Sequence, residues 1–98
     1  MELARVEGSV VSTAKAENLK GFKLLLVNLI GPDTKPTNNH VVAIDTVGAG
    51  RGEIVLVVRG SSARQVAQLS GVPTDTSIVA IVDAIELDGN VIFQKHKQ

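Results

Sequence analysis

The sequence predicts a small all-β protein with one short helix, an OB-like barrel of five to six strands. Three observations carry that expectation. Of 98 residues, 44% are apolar, yet Trp and Tyr are absent and Phe occurs twice, at Phe22 and Phe93. The apolar bulk is therefore aliphatic and largely β-branched, which suits pleated sheets. It gathers into short runs bounded by Gly, Pro, Asn and Asp, the punctuation of strands and turns. One segment alone, residues 61–69, carries a helical apolar stripe.

In chain order, residues 3–11 read as a first strand with Gly8 at a bulge or bend. Residues 12–21 are polar and end in Lys20-Gly21, a connection. Residues 22–30 form a second strand. Residues 31–40 hold Pro32, Pro36 and several turn formers, so they are expected to be an exposed, adjustable loop. Residues 41–45 are a third strand, and the glycine-rich turn at 47–52 leads into a fourth at 53–59. Ser61 or Ser62 caps the helix, whose stripe is Ala63, Val66, Ala67 and Leu69. That helix is too short to persist without packing. Residues 71–76 form an extended loop and 77–87 a fifth strand. Asp88-Gly89 is a strong hairpin signal, and residues 91–95 pair back before a basic, polar tail. The whole of 1–98 is expected to be a single domain.

Composition excludes several function classes. Ten basic side chains balance ten acidic ones, so no electrostatic case exists for nucleic acid or an anionic membrane. Cysteine is absent, which removes disulfides and thiolate metal sites. The first residues lack the apolar core of a secretory signal, and no apolar run approaches a membrane span. A soluble cytoplasmic protein is expected, without a cofactor or a metal.

The segment Asp45-Thr-Val-Gly-Ala-Gly-Arg-Gly-Glu53 imitates a dinucleotide fingerprint but has Glu53 where the third glycine belongs, and a strand follows it instead of a helix. Gly60-Ser-Ser-Ala-Arg64 imitates a nucleophile elbow but has Arg64 in place of the closing glycine. Ser61 and Ser62 are accordingly read as helix caps. Asp45 and Asp83 are read as rim carboxylates bonded to turn amides or to an arginine, with an acid/base pair as the alternative. Gly48, Gly50 and Gly52 make a tight strand connection or, alternatively, an anion nest. Arg64 is either solvated or a carboxylate clamp across an interface. His40 and His96 lack partners at metal spacing, and Lys95 and Lys97 are expected in solvent. Single-strand nucleic-acid binders with OB-like barrels need aromatic platforms and a basic groove, which this chain does not supply.

Four strands are apolar on both faces: Leu24–Val27, Val41–Ile44, Ile54–Val58 and Ile78–Val82. Such strands are normally covered on both sides, and one short helix cannot cover four. Further copies of the chain are the expected cover, in head-to-tail contacts that close into a ring.

An ordered set of short motifs adds a resemblance. Leu3-Ala-Arg-Val6, Gly8-Ser-Val-Val-Ser-Thr13, Lys23-Leu-Leu-Leu-Val27, Ala43-Ile-Asp45, Val47-Gly-Ala-Gly50 with Gly52-Glu53, Gly60-Ser-Ser-Ala-Arg-Gln65 and Ile81-Val-Asp83 occur in sequence. Together they resemble the EutN/CcmL family of bacterial microcompartment vertex proteins, nearly end to end. The resemblance implies an OB-like barrel with a short helix, no enzymatic activity, and a homo-pentamer that caps vertices of an icosahedral shell beside hexameric shell proteins. It also implies that Asp45, Val47, Gly48, Ala49, Gly50, Ser61, Ser62, Arg64 and Asp83 belong to subunit packing or to the ring axis. Carboxysome and catabolic compartments both remain open, although the 89–95 ending is more like the catabolic members.

Overall fold

A computed structural model describes residues 1–13, 15, 17–19, 21–60 and 75–95. Seven strands appear in it: β1 (Glu2–Val10), β2 (Lys23–Ile30), β3 (Pro36–Asp45), β4 (Ile54–Arg59), β5 (Thr76–Ile81), β6 (Ala84–Leu87) and β7 (Asn90–Gln94). The first five close a barrel in the order β1-β2-β3-β5-β4, and β6 pairs only with β7. Neighbours in the barrel are antiparallel except β3 and β5. That parallel seam is short, registering Ile44 with Ser77 and Asp45 with Ile78. The OB-like barrel expected from the sequence is thus observed; the helix expected at 61–69 lies outside the described residues.

Alternation builds the core. Ala4 and Val6 of β1, Leu25 and Val27 of β2, Ala43 of β3, Val55 and Val57 of β4, and Ile78 of β5 all point inward and are buried. Each of the larger side chains contributes about 1.5–3 kcal/mol by leaving water. Ala49, from the turn after β3, plugs the same cluster.

The opposite faces are only partly sheltered within one chain. Ile44, next to inward Ala43, is 2% exposed because Leu19, Phe22 and Leu24 pack over it. Leu19 comes from a 3-10 turn, Glu17–Leu19, in the connection between β1 and β2. Leu26, Leu56 and Val58 stay half-buried, while Val42 and Val47 are exposed.

Gly8 sits at the register shift of the β1–β2 pairing, where the bulge is expected. Asp88 (φ 52°) and Gly89 (φ 79°) both take left-handed conformations, as a two-residue type I′ hairpin requires. Two expectations are corrected. Much of the segment 31–40, read as a loop, is strand: β3 begins at Pro36. Proline is tolerated as the first residue of a strand, and the ladder there is completed by a side chain. Asn28 is 1% exposed. Its amide donates to the carbonyls of Thr37 (2.8 Å) and Asn39 (3.1 Å), and its oxygen accepts from Thr37 N (3.1 Å). The single strand expected over 77–87 is two, β5 and β6, broken at Val82-Asp83. Val82 N still bonds Ile54 O (2.8 Å), but β4 starts at Ile54, so β4 offers no strand partner beyond it. The molecule spans 45 × 24 × 24 Å, in keeping with a hairpin carried outside the barrel.

Candidate functional site: the glycine turn and the hairpin base

β3 ends in Asp45, 8% exposed. Its Oδ1 accepts from Val47 N (3.0 Å) and Gly48 N (3.1 Å), and its Oδ2 from Ala49 N (3.0 Å). Glu53 Oε1 accepts from Gly50 N at 2.6 Å. Glu53 N returns to Gly50 O (3.2 Å). Four successive amides therefore face two carboxylates of the same chain. An anion nest works only while its amides are free, so the arrangement argues for a self-capped turn and against a phosphate site. Gly48 (φ 79°) and Gly52 (φ 89°) occupy backbone that other residues rarely adopt. Gly50 does not: a Cβ there would meet Glu53 Oε1 at 3.4 Å, an ordinary contact.

The turn is stitched to the barrel on several sides. Gly52 N donates to Val6 O (2.8 Å), and Val6 N donates to Glu53 O (2.9 Å). Arg5 reaches Gly52 O through Nη1 (2.9 Å). Thr46 Oγ1 donates to Ile78 O (2.8 Å), bracing the short parallel seam.

Glu53 also holds the hairpin. Its Oε2 pairs with Lys95 Nζ at 2.5 Å, and the two side chains are 22% and 28% exposed. Lys95 N donates to Asp83 O (2.8 Å), closing the base of the β6–β7 ribbon. Lys95 is thus an anchor, which corrects the solvated tail residue expected from the sequence. Its hydrogen bond to Glu53 holds the ammonium above the ordinary 10.5; burial opposes this, and the charges of Glu53 and Asp83 reinforce it. A raised lysine stabilises the docked hairpin fully below its ordinary value, and that stabilisation is lost as pH climbs through the raised one. Amide exchange across 84–94 should accordingly show undiminished support from this pair from pH 7 to 10.5, and loosening above. Lys95→Met should give the loosened hairpin already at neutral pH, with barrel amides unchanged.

Two other pairs link residues distant in sequence. His40 Nε2 lies 3.0 Å from Glu7 Oε1, an acidic neighbour not visible from spacing. Arg59 bonds Glu2 through Nε (2.7 Å) and Nη2 (3.3 Å). Both pairs are around two-fifths exposed, where such bridges contribute about 0–1 kcal/mol.

Of the residues expected in a subunit contact, Asp45, Val47, Gly48, Ala49 and Gly50 form one turn, and Glu53 and Lys95 connect it to Asp83 at the hairpin base. Ser61, Ser62, Arg64 and His96 lie outside the described residues. Sequence reasoning missed Glu53, Lys95 and Asn28 as organisers. Glu53 carried one signal, its place directly after the glycines. Among the described residues, no His, Cys, Asp and Glu side chains gather as a metal-binding group, and no helix is long and apolar enough to cross a membrane.

Comparison with known proteins places these features. A family model described as "Ethanolamine utilisation protein EutN/carboxysome" matches residues 1–83. The bacterial microcompartment shell vertex protein EutN of Escherichia coli K12 is 45% identical over 95 residues, covering 97% of this chain and 100% of that protein. The structure of Gloeobacter violaceus CcmL superposes with a TM-score of 0.94 at 40% identity, covering 99% of this chain and 100% of that one. GrpN, a pentameric microcompartment shell protein from Rhodospirillum rubrum, superposes at 0.82 with 48% identity, covering 89% of this chain and 99% of that one. The barrel and its carboxylate-capped turn are thus found in a chain that matches these proteins over nearly its full length, and it belongs to the EutN/CcmL family.

Proposed function

We propose that this chain is a structural shell protein that assembles into a pentamer and caps a vertex of a bacterial microcompartment in the cytoplasm. The observation that carries the reading is similarity over almost the whole chain to a protein named as a shell vertex protein, together with the match to a pentameric shell protein. The mechanism is geometric. Six-fold units tile a flat sheet; a five-fold unit removes one sector and forces curvature. Hexameric shell proteins would be its edge neighbours, met by shape complementarity. The half-buried Leu26, Leu56 and Val58 and the exposed Val42 offer apolar surface for subunit packing. The turn 45–50, Asp83, Ser61, Ser62 and Arg64 are assigned to subunit packing or the ring axis.

Family membership favours this role over an OB-like module for single-stranded nucleic acid, which neutral charge and two Phe residues also disfavour. A structural role without catalysis is part of the proposal. Native mass spectrometry of the purified chain should show a five-subunit species at micromolar concentration. Co-expression with hexameric shell proteins should give closed particles, and omission of this chain should leave sheets or open-ended assemblies. A stable monomer that binds single-stranded DNA tightly and with strong salt dependence would reverse the assignment.

A further inference from the structure

The β6–β7 hairpin leaves the barrel, and among the described residues no other strand pairs with it. An isolated two-stranded ribbon is marginal in water, yet this one exposes Leu87 (46%), Val91 (57%) and Ile92 (37%). Residues 84–94 include Glu86 and Asp88 and no basic side chain. The tip is therefore apolar and acidic, and among the described residues no cation pairs with it.

The barrel carries a surface of the opposite charge. A pocket of about 210 Å³ opens beside the glycine turn, with Val6, Leu25 and Ala49 in its lining and Lys23 and Arg51 at its rim. Lys23 and Arg51 are exposed, and neither they nor Glu86 and Asp88 have an ion-pair partner among the described residues. Lys23 registers opposite Asp45, but both oxygens of that carboxylate are bonded to turn amides. Apolar tip and apolar pocket match in character, and the two acids match the two bases in charge.

A chain cannot join its own tip to its own pocket. Gly50 lines the pocket and donates to Glu53, which holds Lys95 at the hairpin base. The ribbon starts next to the pocket, and a strand of four to five residues carries its tip about 13–17 Å away. Folding back would break the Lys95–Glu53 latch.

We infer that the β6–β7 tip of one copy seats in the Lys23–Arg51 pocket of the next, with Glu86 and Asp88 paired to those cations and Leu87 and Val91 covered by the pocket. Knob and socket lie on different parts of the surface, so the contact is heterologous and repeats head to tail, as a closed ring demands. The Lys95–Glu53 pair sets the angle at which the knob leaves the barrel. The inference rests on the pentamer reading above and specifies its contact.

Charge reversal in the full chain tests it. Glu86→Lys with Asp88→Lys, and separately Lys23→Glu with Arg51→Glu, each place like charges across the contact. Like-charge juxtaposition costs several kcal/mol per interface, so each pair should weaken the ring by about a hundredfold or more in the concentration at which it dissociates. Far-UV circular dichroism and thermal unfolding should show the barrel intact. The fourfold reversal restores opposite charges and should restore the ring. Mixed with wild type, it should form separate rings, with no mixed species by native mass spectrometry. Rings that resist both double reversals would overturn the contact and leave the pentamer standing, as would a folded fourfold variant that fails to regain the ring. A wild-type chain that is itself monomeric would remove the pentamer, and this contact with it.

Discussion

Asp45→Ala lowers the free energy of unfolding by about 3–5 kcal/mol, the largest effect expected of any single polar substitution here. Asp45 accepts from the amides of Val47, Gly48 and Ala49, and it is nearly buried. Hydrogen bonds to a charged group contribute about 1.5–3 kcal/mol each, and donors left unpaired in a buried place cost about as much again, although the parts do not add fully. Ala49 is 1% exposed, so water cannot easily replace the lost oxygen at its amide. Asp45→Asn should fall between wild type and Ala, because one oxygen survives while the other becomes an amide group facing a donor. Urea unfolding followed by circular dichroism supplies the measurement. A loss for Asp45→Ala under about 1 kcal/mol would mean that the turn is held by its glycine conformations and not by the carboxylate. The substitution also reaches assembly: Ala49 and Gly50 line the Lys23–Arg51 pocket, so a disordered turn would remove the socket.

Asn28→Leu should cost about 2–3 kcal/mol and act on a different part of the barrel. Leucine keeps similar bulk but strands Thr37 N, Thr37 O and Asn39 O, all served by the one amide side chain. Thr37 Oγ1 would still bond Leu29 O at 2.5 Å, so the strand would loosen and not detach. Hydrogen exchange should speed up across 36–40 and remain unchanged in β4 and β5. Uniform destabilisation, with no local gain in exchange at 36–40, would show that Asn28 acts as a general core residue and not as the staple of the β2–β3 register.

These two residues differ in how far the sequence announced them. Asp45 ends an apolar run just before a glycine cluster, and a rim carboxylate bonded to turn amides is what that placement suggests. Asn28 sits inside the run Leu24–Ile30 with nothing to distinguish it from a solvent-facing polar residue. Its partners are nine and eleven residues ahead, in a segment whose prolines and asparagines read as loop. Lys95 is similar: in sequence it opens a polar tail, yet it meets Glu53 forty-two positions earlier and anchors the hairpin.

Residue order alone established strand chemistry, the bulge at Gly8, the Asp88-Gly89 reversal and the motif series that marks the family. Each depends on neighbours within a few positions: side-chain alternation, a backbone conformation that favours glycine, or a fixed run of residue types. Three-dimensional closure settled the rest. The parallel β3–β5 seam, the break of the 77–87 run at Val82-Asp83 and the latch at the hairpin base all depend on segments that are far apart along the chain. Period-two patterning states which face of a strand is buried but not which strand lies beside it. Glu53 gives no local sign of the ammonium that the folded barrel brings to it from Lys95.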